Sequence, residues 1–256
     1  MTVLAATATA FSRGGHEILT DVDISTQPGE LLCIVGPNGS GKSTLLSALS
    51  GDLEPDRGTI TLDGVPIRSI KARELAAMRG VLTQQHRVAF GFTAREVIEM
   101  GCLHADDSKA AMGAIVDQLD LNDLLDRAFR VLSGGEQARV ALARVLMQNT
   151  PILLLDEPTA ALDLRHQELV MTIARQQANS GYSAVVVVHD LNLASAHADR
   201  VALVARGGII AQGSPVEVFQ AERLTESYGV PVIVTDHPTR GCPLVLTDPR
   251  DSTSWP

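Results

Sequence analysis

Two hydrophobic periods alternate along this chain. Leu31 to Val35, Ile152 to Leu155, Ala184 to Val188 and Val201 to Val204 are short runs that are apolar at nearly every position. Continuous runs of that length suit strands buried on both faces, as in a parallel sheet. Between them the spacing turns helical. Ser43 to Ser50 follows the first run, Asp163 caps a helix to about Asn179 that Gly181 closes, and a short helix is expected near Pro215 to Glu222. Met112, Ile115, Val116 and Leu119 mark one helical face, and Ala138, Ala141, Leu142, Val145 and Leu146 another. Thr93 and Glu96 have capping-box spacing. Residues 71 to 79 read as a short helix closed by Gly80, before a brief strand at Val81-Leu82. Leu4 to Ala10 is a mild β run, Asp21 to Ser25 alternates, and Gly58 to Gly64 turns Ile60 and Leu62 to one side. Gly207-Gly208, between Val204 and Ile209, is a hairpin signal.

The pattern predicts an α/β chain: a core with a mainly parallel sheet, an N-terminal antiparallel β subdomain and an inserted α-helical subdomain. The expected division is core at 1–84 plus 150–235, helical subdomain at 85–149, and a tail at 236–256. That tail is rich in Pro, Thr and Asp and is expected to be poorly ordered.

Composition narrows the class. The chain has 256 residues, enough for one large domain with an insertion. Lys plus Arg total 21 against 30 Asp plus Glu, a net charge of −9, which disfavours nucleic acid as a partner. Cys33, Cys102 and Cys242 lack metal-ligand spacing, and Cys33 falls in an apolar strand, so a reducing compartment and a buried thiol are expected. No signal-peptide pattern is evident, and no run approaches the ~20 apolar residues a bilayer span needs. Any membrane role is therefore expected to be peripheral.

The chemistry concentrates at strand ends. Residues 36 to 44, GPNGSGKST, form a P-loop between an apolar strand and a helix: Gly36, Pro37, Asn38, Gly39, Ser40, Gly41, Lys42, Ser43 and Thr44. Backbone N–H groups of such a loop and the helix dipole hold a triphosphate; Lys42 would reach the β/γ phosphates and Ser43 the Mg²⁺. ILLLDEP at 152 to 158 places Asp156 and Glu157 where an open α/β sheet binds ligands. Asp156 suits Mg²⁺, and Glu157 suits orienting or deprotonating an attacking water. Ser133-Gly134-Gly135 opens a helix as a second anion site or an ordinary cap. His189 ends the strand after Ala184, and Phe11 is either core or an adenine platform.

Together these motifs resemble the ATP-binding-cassette ATPases over nearly the whole chain, which implies that the α/β core is a P-loop NTPase (RecA-like) core. LSGGE at 132 to 136 is that family's signature, standing in family order between the P-loop and ILLLDEP. The resemblance implies that Gln84 is the Q-loop glutamine and a Mg²⁺ ligand, although Gln85 leaves the register open by one residue. It implies that His189 is the switch histidine, that Ala161-Leu162-Asp163 is the D-loop with Asp163 at the ATP site, and that Phe11 stacks on adenine. It further implies a homodimer holding ATP between the P-loop of one chain and Ser133, Gly134 and Gly135 of the other. Departures are Phe11 where Tyr is commoner, Ala160 where Ser is frequent and Thr83 where Pro is frequent.

A free-standing cassette resembles an importer subunit. Residues 81 to 101 and 132 to 148 look like the heme, ferric siderophore and vitamin B12 group, with the heme branch nearest. That implies an integral membrane permease dimer, an indirect periplasmic or lipoprotein substrate-binding protein, and a peripheral place on the cytoplasmic face of the cell membrane. His86 and His104 are expected in solvent-exposed loops rather than as heme ligands. Against the rival classes, LSGGE disfavours a P-loop kinase or GTPase. The short helical insert and acidic balance disfavour a soluble non-transport ABC ATPase of chromosome or repair type.

Overall fold

The computed structural model describes residues 2–84, 91–102 and 108–248, without the side chains of residues 13 and 108–110. Gln85, His86 and His104 lie outside the described residues. In chain order the elements are β1 (Leu4–Arg13), β2 (His16–Ser25), β3 (Leu31–Val35), α1 (Lys42–Leu49), β4 (Arg57–Leu62), β5 (Val65–Pro66), α2 (Ala72–Met78) and β6 (Arg79–Leu82). Then come α3 (Ala94–Glu99), α4 (Ser108–Gln118), α5 (Gly134–Leu146), β7 (Ile152–Asp156), α6 (Leu164–Asn179), β8 (Ser183–Val187) and α7 (Leu191–His197). The chain finishes with β9 (Arg200–Ala205), β10 (Gly208–Gly213), α8 (Pro215–Val218), α9 (Ala221–Tyr228), β11 (Val232–Asp236) and β12 (Pro243–Thr247).

The central sheet has the order β10-β9-β3-β8-β7-β6, parallel throughout except for the edge strand β10. Its four inner strands alternate between two hydrophobic clusters. Cys33, Leu153, Leu155, Val186 and Leu203 face one; Ile34, Leu154, Val185 and Val204 face the other. Two-sided burial is why these strands read as continuous apolar runs. On one side lie α1, α2 and the antiparallel sheet β2-β1-β4-β5; on the other lie α3 to α7 and the C-terminal helices. Cys33 is fully buried, and burial pushes its thiol up to about 12, which makes it inert.

Between β6 and β7 the described residues form helices, short 3₁₀ turns and one isolated bridge, Thr93 to Ala128. The Thr93–Glu96 capping box is formed at α3. α5 is buried on most of its circumference because it lies between these helices and the sheet.

Two expectations change. Gly80 does not close a helix; it lies inside β6, where a Cβ would stand 2.9 Å from Val145 Cγ1. The close approach of α5 to the strand, not a cap, requires it. The tail is not poorly ordered from 236: β11 and β12 pair in register from Val232↔Thr247 to Asp236↔Pro243, and the hairpin packs on α7. The short apolar runs Val232–Val234 and Leu244–Leu246, separated by a turn containing Gly241, carry that signal beneath the polar composition.

Candidate functional site

The C-terminal ends of β3, β7 and β8 converge on one small cavity. It holds about 280 Å³ and is lined by Ile18, Asn38, Gly39, Gly41, Lys42, Ser43, Thr44, Glu157 and His189. A larger groove of about 490 Å³ runs between α2, α4, α5 and α6, but its polar lining is amides without an ionisable pair. Chemistry rather than volume marks the P-loop cavity as the site.

The loop leaves β3 through Gly36, where a Cβ would lie 2.0 Å from the Val204 carbonyl oxygen. Only glycine fits there. Gly41 caps α1 without any side-chain hydrogen bond, so the first N–H groups of that helix keep their capacity for an anion. Inside the loop, Ser40 Oγ is buried without a partner. Lys42 is buried and folds back, donating from Nζ to the carbonyls of Gly36 and Pro37 at 2.9 Å each. Burial pushes the ammonium below its usual range, opposed by the nearby charges of Glu157 and Asp156. A phosphate would supply the anionic partner that the two carbonyls only approximate.

Ser43 Oγ donates to Asp156 Oδ1 at 3.0 Å, joining the start of α1 to the end of β7. Asp156 is buried, and desolvation raises its carboxyl above the usual range despite the Ser43 bond. Two hard oxygen donors held side by side, one of them an under-neutralised carboxylate, fit a Mg²⁺ bound also by phosphate oxygens. Among the described residues no group of three or more His, Cys, Asp or Glu could hold a metal by itself.

Glu157 sits at the centre. Its φ of 50° is left-handed, a conformation that costs about 1 kcal/mol for a non-glycine residue and clusters at functional sites. Its N–H donates to the Val187 carbonyl at 3.1 Å, which fixes the turn. Each carboxylate oxygen has its own partner: Gln84 Nε2 donates to Oε2 at 2.8 Å, and His189 Nε2 lies 2.6 Å from Oε1. The Glu157 side chain is 11% exposed and that of His189 43% exposed.

Other candidates lie elsewhere in this chain. Phe11 is buried in the core between the antiparallel sheet and α1, only 2% exposed, so the expected adenine platform is not there. Strand β1 turns Phe11 inward. Ile18, which sequence reasoning missed, is the apolar residue lining the cavity; its place three residues past the Gly14-Gly15 turn was the available signal. Ser133 caps α5, accepting from the Glu136 N–H at 3.3 Å while Glu136 accepts from the Ser133 N–H at 2.7 Å. Ser133 and Gly134 are exposed and do not line this cavity. Asp163 caps α6, accepting from the N–H of His166 at 2.9 Å and lying 2.7 Å from its Nδ1; it too is outside the cavity.

A family model described as ABC transporter matches residues 19–160, more than half of the chain. The chain belongs to the ABC transporter family. Among curated ABC relatives, the Hemin import ATP-binding protein HmuV of Rhodococcus jostii (strain RHA1) is 50% identical over 249 residues, 95% of this chain and 85% of that protein. The protein of the same name from Nocardia farcinica (strain IFM 10152) is 49% identical over 244 residues, 91% of this chain and 85% of that one. Among solved structures, the dimeric MJ0796, a bacterial ABC transporter cassette, matches with TM-score 0.73 and 27% identity over 82% of this chain and 98% of that one. An Atm1-family ABC exporter with ATP bound matches with TM-score 0.75 and 30% identity over 84% of this chain and 39% of that one. This ABC cassette is thus an ATPase with a P-loop fold.

The raised Asp156 carboxyl has a stability consequence for the nucleotide-free cassette. A carboxyl raised by folding favours the protonated form in the native state. The stability it contributes is therefore present below the unfolded pKa and lost as pH rises through the folded one. Asp156→Asn, which can still accept from Ser43, is expected to stabilise the nucleotide-free protein at neutral pH by about 1 kcal/mol and to flatten that pH dependence. Thermal melts at several pH values check this; a lower melting temperature for the variant at pH 7 contradicts it.

Proposed function

We propose that this chain is the ATP-binding and ATP-hydrolysing subunit of a hemin importer. Hydrolysis is supported by one observation above all: Glu157 stands at the mouth of the P-loop cavity with its two oxygens engaged by Gln84 and His189. The hemin cargo is supported by relatives about half identical over most of the chain that carry that name. Ferric siderophore or vitamin B12 is the competing cargo.

In this reading the P-loop N–H groups and Lys42 bind the triphosphate, Lys42 exchanging the Gly36 and Pro37 carbonyls for phosphate oxygens. Ser43, Asp156 and Gln84 would hold Mg²⁺, which when bound would neutralise developing charge on the phosphates. Glu157 orients the attacking water and takes its proton. In the nucleotide-free arrangement both Glu157 oxygens are occupied, so the base is held back. His189 donates equally well to a γ-phosphate oxygen, and turning toward it frees Oε1 for the water. Binding and activation of the base are thereby linked through one imidazole.

Ser133, Gly134 and Gly135 complete the phosphate site of a second copy, with Asp163 beside them. That assignment is supported by the exposure of Ser133, Gly134 and Asp163 outside their own chain's cavity and by the dimeric cassette among the structural matches. No helix among the described residues is long and apolar enough to cross a membrane. As an importer subunit the cassette works peripherally on the cytoplasmic face, docked on a permease dimer that receives cargo from a substrate-binding protein, a reading supported by the importer relatives.

Reconstituting the chain with its permease and binding protein in proteoliposomes tests the cargo. ATP-dependent uptake of hemin is expected to exceed that of a ferric siderophore or cobalamin by at least about tenfold, the step a binding difference of ~1.4 kcal/mol gives. Equal or greater uptake of either competitor overturns the hemin assignment.

A further inference from the structure

The C-terminal hairpin grips the helix that directly follows the switch histidine. α7 has seven residues and begins two positions after His189. Asp190 caps it, its Oδ1 accepting from the N–H groups of Asn192 at 2.8 Å and Leu193 at 3.1 Å. The backbone of His189 therefore continues directly into the helix cap, and a tilt of α7 displaces the imidazole. The inner face of α7 packs through Leu193 and Ala194 into the core.

Its outer face meets the free edge of β12. Asn192 Oδ1 accepts from the Val245 N–H at 2.7 Å, while Nδ2 donates to the Val245 carbonyl at 3.0 Å. One side-chain amide thus closes a two-bond ring with a strand residue, as a neighbouring strand would. One turn further on, the buried Ser195 Oγ donates to the Pro243 carbonyl at 2.6 Å. Residues three apart on a helix and two apart on a strand each share a face, so the two contacts form one seam. At its far end, Glu168 of α6 accepts from Arg240 of the hairpin turn at 2.9 Å and lies 2.9 Å from His197 Nε2 of α7.

This seam has a role beyond covering a sheet edge because the His189 side chain is 43% exposed. A ring that open is not aimed by packing around it; its aim comes from where α7 holds its backbone. We propose that Asn192 and Ser195, anchored on β12, are positioning residues that set His189 against Glu157 and the γ-phosphate. The hairpin is then part of the hydrolytic machinery. The proposal rests on His189 acting in hydrolysis, as in the function proposed above.

The test is steady-state ATP hydrolysis by the full chain in four forms: wild type, Asn192→Ala, His189→Ala and the double variant. Ser195→Ala, which removes a single oxygen, serves as a milder second probe. Asn192→Ala is expected to lower kcat about tenfold, the scale of a small misplacement of a reacting group, with KM for ATP within about twofold of wild type. Ser195→Ala lowers kcat in the same direction by less. In the His189→Ala background, Asn192→Ala is expected to cause no further loss, because no imidazole remains to be aimed. An equal fractional loss in both backgrounds, or a rise in KM with kcat unchanged, overturns the proposal in favour of a purely structural seam. A full loss in His189→Ala with Asn192→Ala unaffected overturns the seam alone and leaves the catalytic reading standing. Full activity in His189→Ala overturns both.

Discussion

Glu157→Gln is expected to bind ATP with an affinity within about twofold of wild type and to hydrolyse it roughly 10²–10³-fold more slowly, the usual range for removing a general base. The substitution isolates proton transfer because little else changes. Glutamine has the same shape, it can accept from Gln84 through its oxygen and donate to His189 through its nitrogen, and the left-handed backbone at φ 50° constrains both residues alike. The Val187 carbonyl still receives the residue 157 N–H. What is lost is an acceptor basic enough to take a proton from water. Single-turnover hydrolysis together with a binding isotherm checks this. Hydrolysis within fivefold of wild type contradicts it and moves the base elsewhere.

Lys42→Ala is expected to weaken ATP binding itself by roughly 30-fold, since a charge-assisted bond to phosphate contributes about 2 kcal/mol. Two effects compete. The variant removes an ammonium that burial already destabilises, which favours the nucleotide-free fold. It also strands the Gly36 and Pro37 carbonyls that Lys42 now satisfies. These partly cancel, so the melting temperature should move little while affinity falls. Calorimetric titration against ATP decides it, and unchanged affinity in a folded variant removes Lys42 from the phosphate site.

Much of this was legible in the sequence because local chemistry dictates it. The Gly36–Thr44 spacing, the buried strands ending at Val35 and Asp156, the Thr93–Glu96 capping box and the Ser133 cap each declare themselves within a few residues. What was hidden depends on facing rather than on residue type. Phe11 lies in a run of alternating Ala and Thr too weakly amphipathic to say which side goes in, and β1 turns it into the core. The β11–β12 hairpin was masked by the polar residues around it, yet the apolar runs Val232–Val234 and Leu244–Leu246 and the α7 seam order it to Asp248. The Gln84–Glu157 bond joins residues far apart in sequence at the ends of β6 and β7, adjacency that only the parallel sheet order supplies. The position of His189 just before a helix clamped from outside likewise follows from tertiary packing alone.

In the proposed function the cavity around Lys42 and Glu157 is half of a site that a second copy completes. The mass of the Glu157→Gln chain in solution, with and without saturating ATP, measures this. Two chains per particle with ATP and Mg²⁺, one chain without nucleotide, and loss of the ATP-dependent dimer on adding Ser133→Arg are the predicted results. A particle of one chain at saturating ATP, or a dimer indifferent to Ser133→Arg, would contradict it.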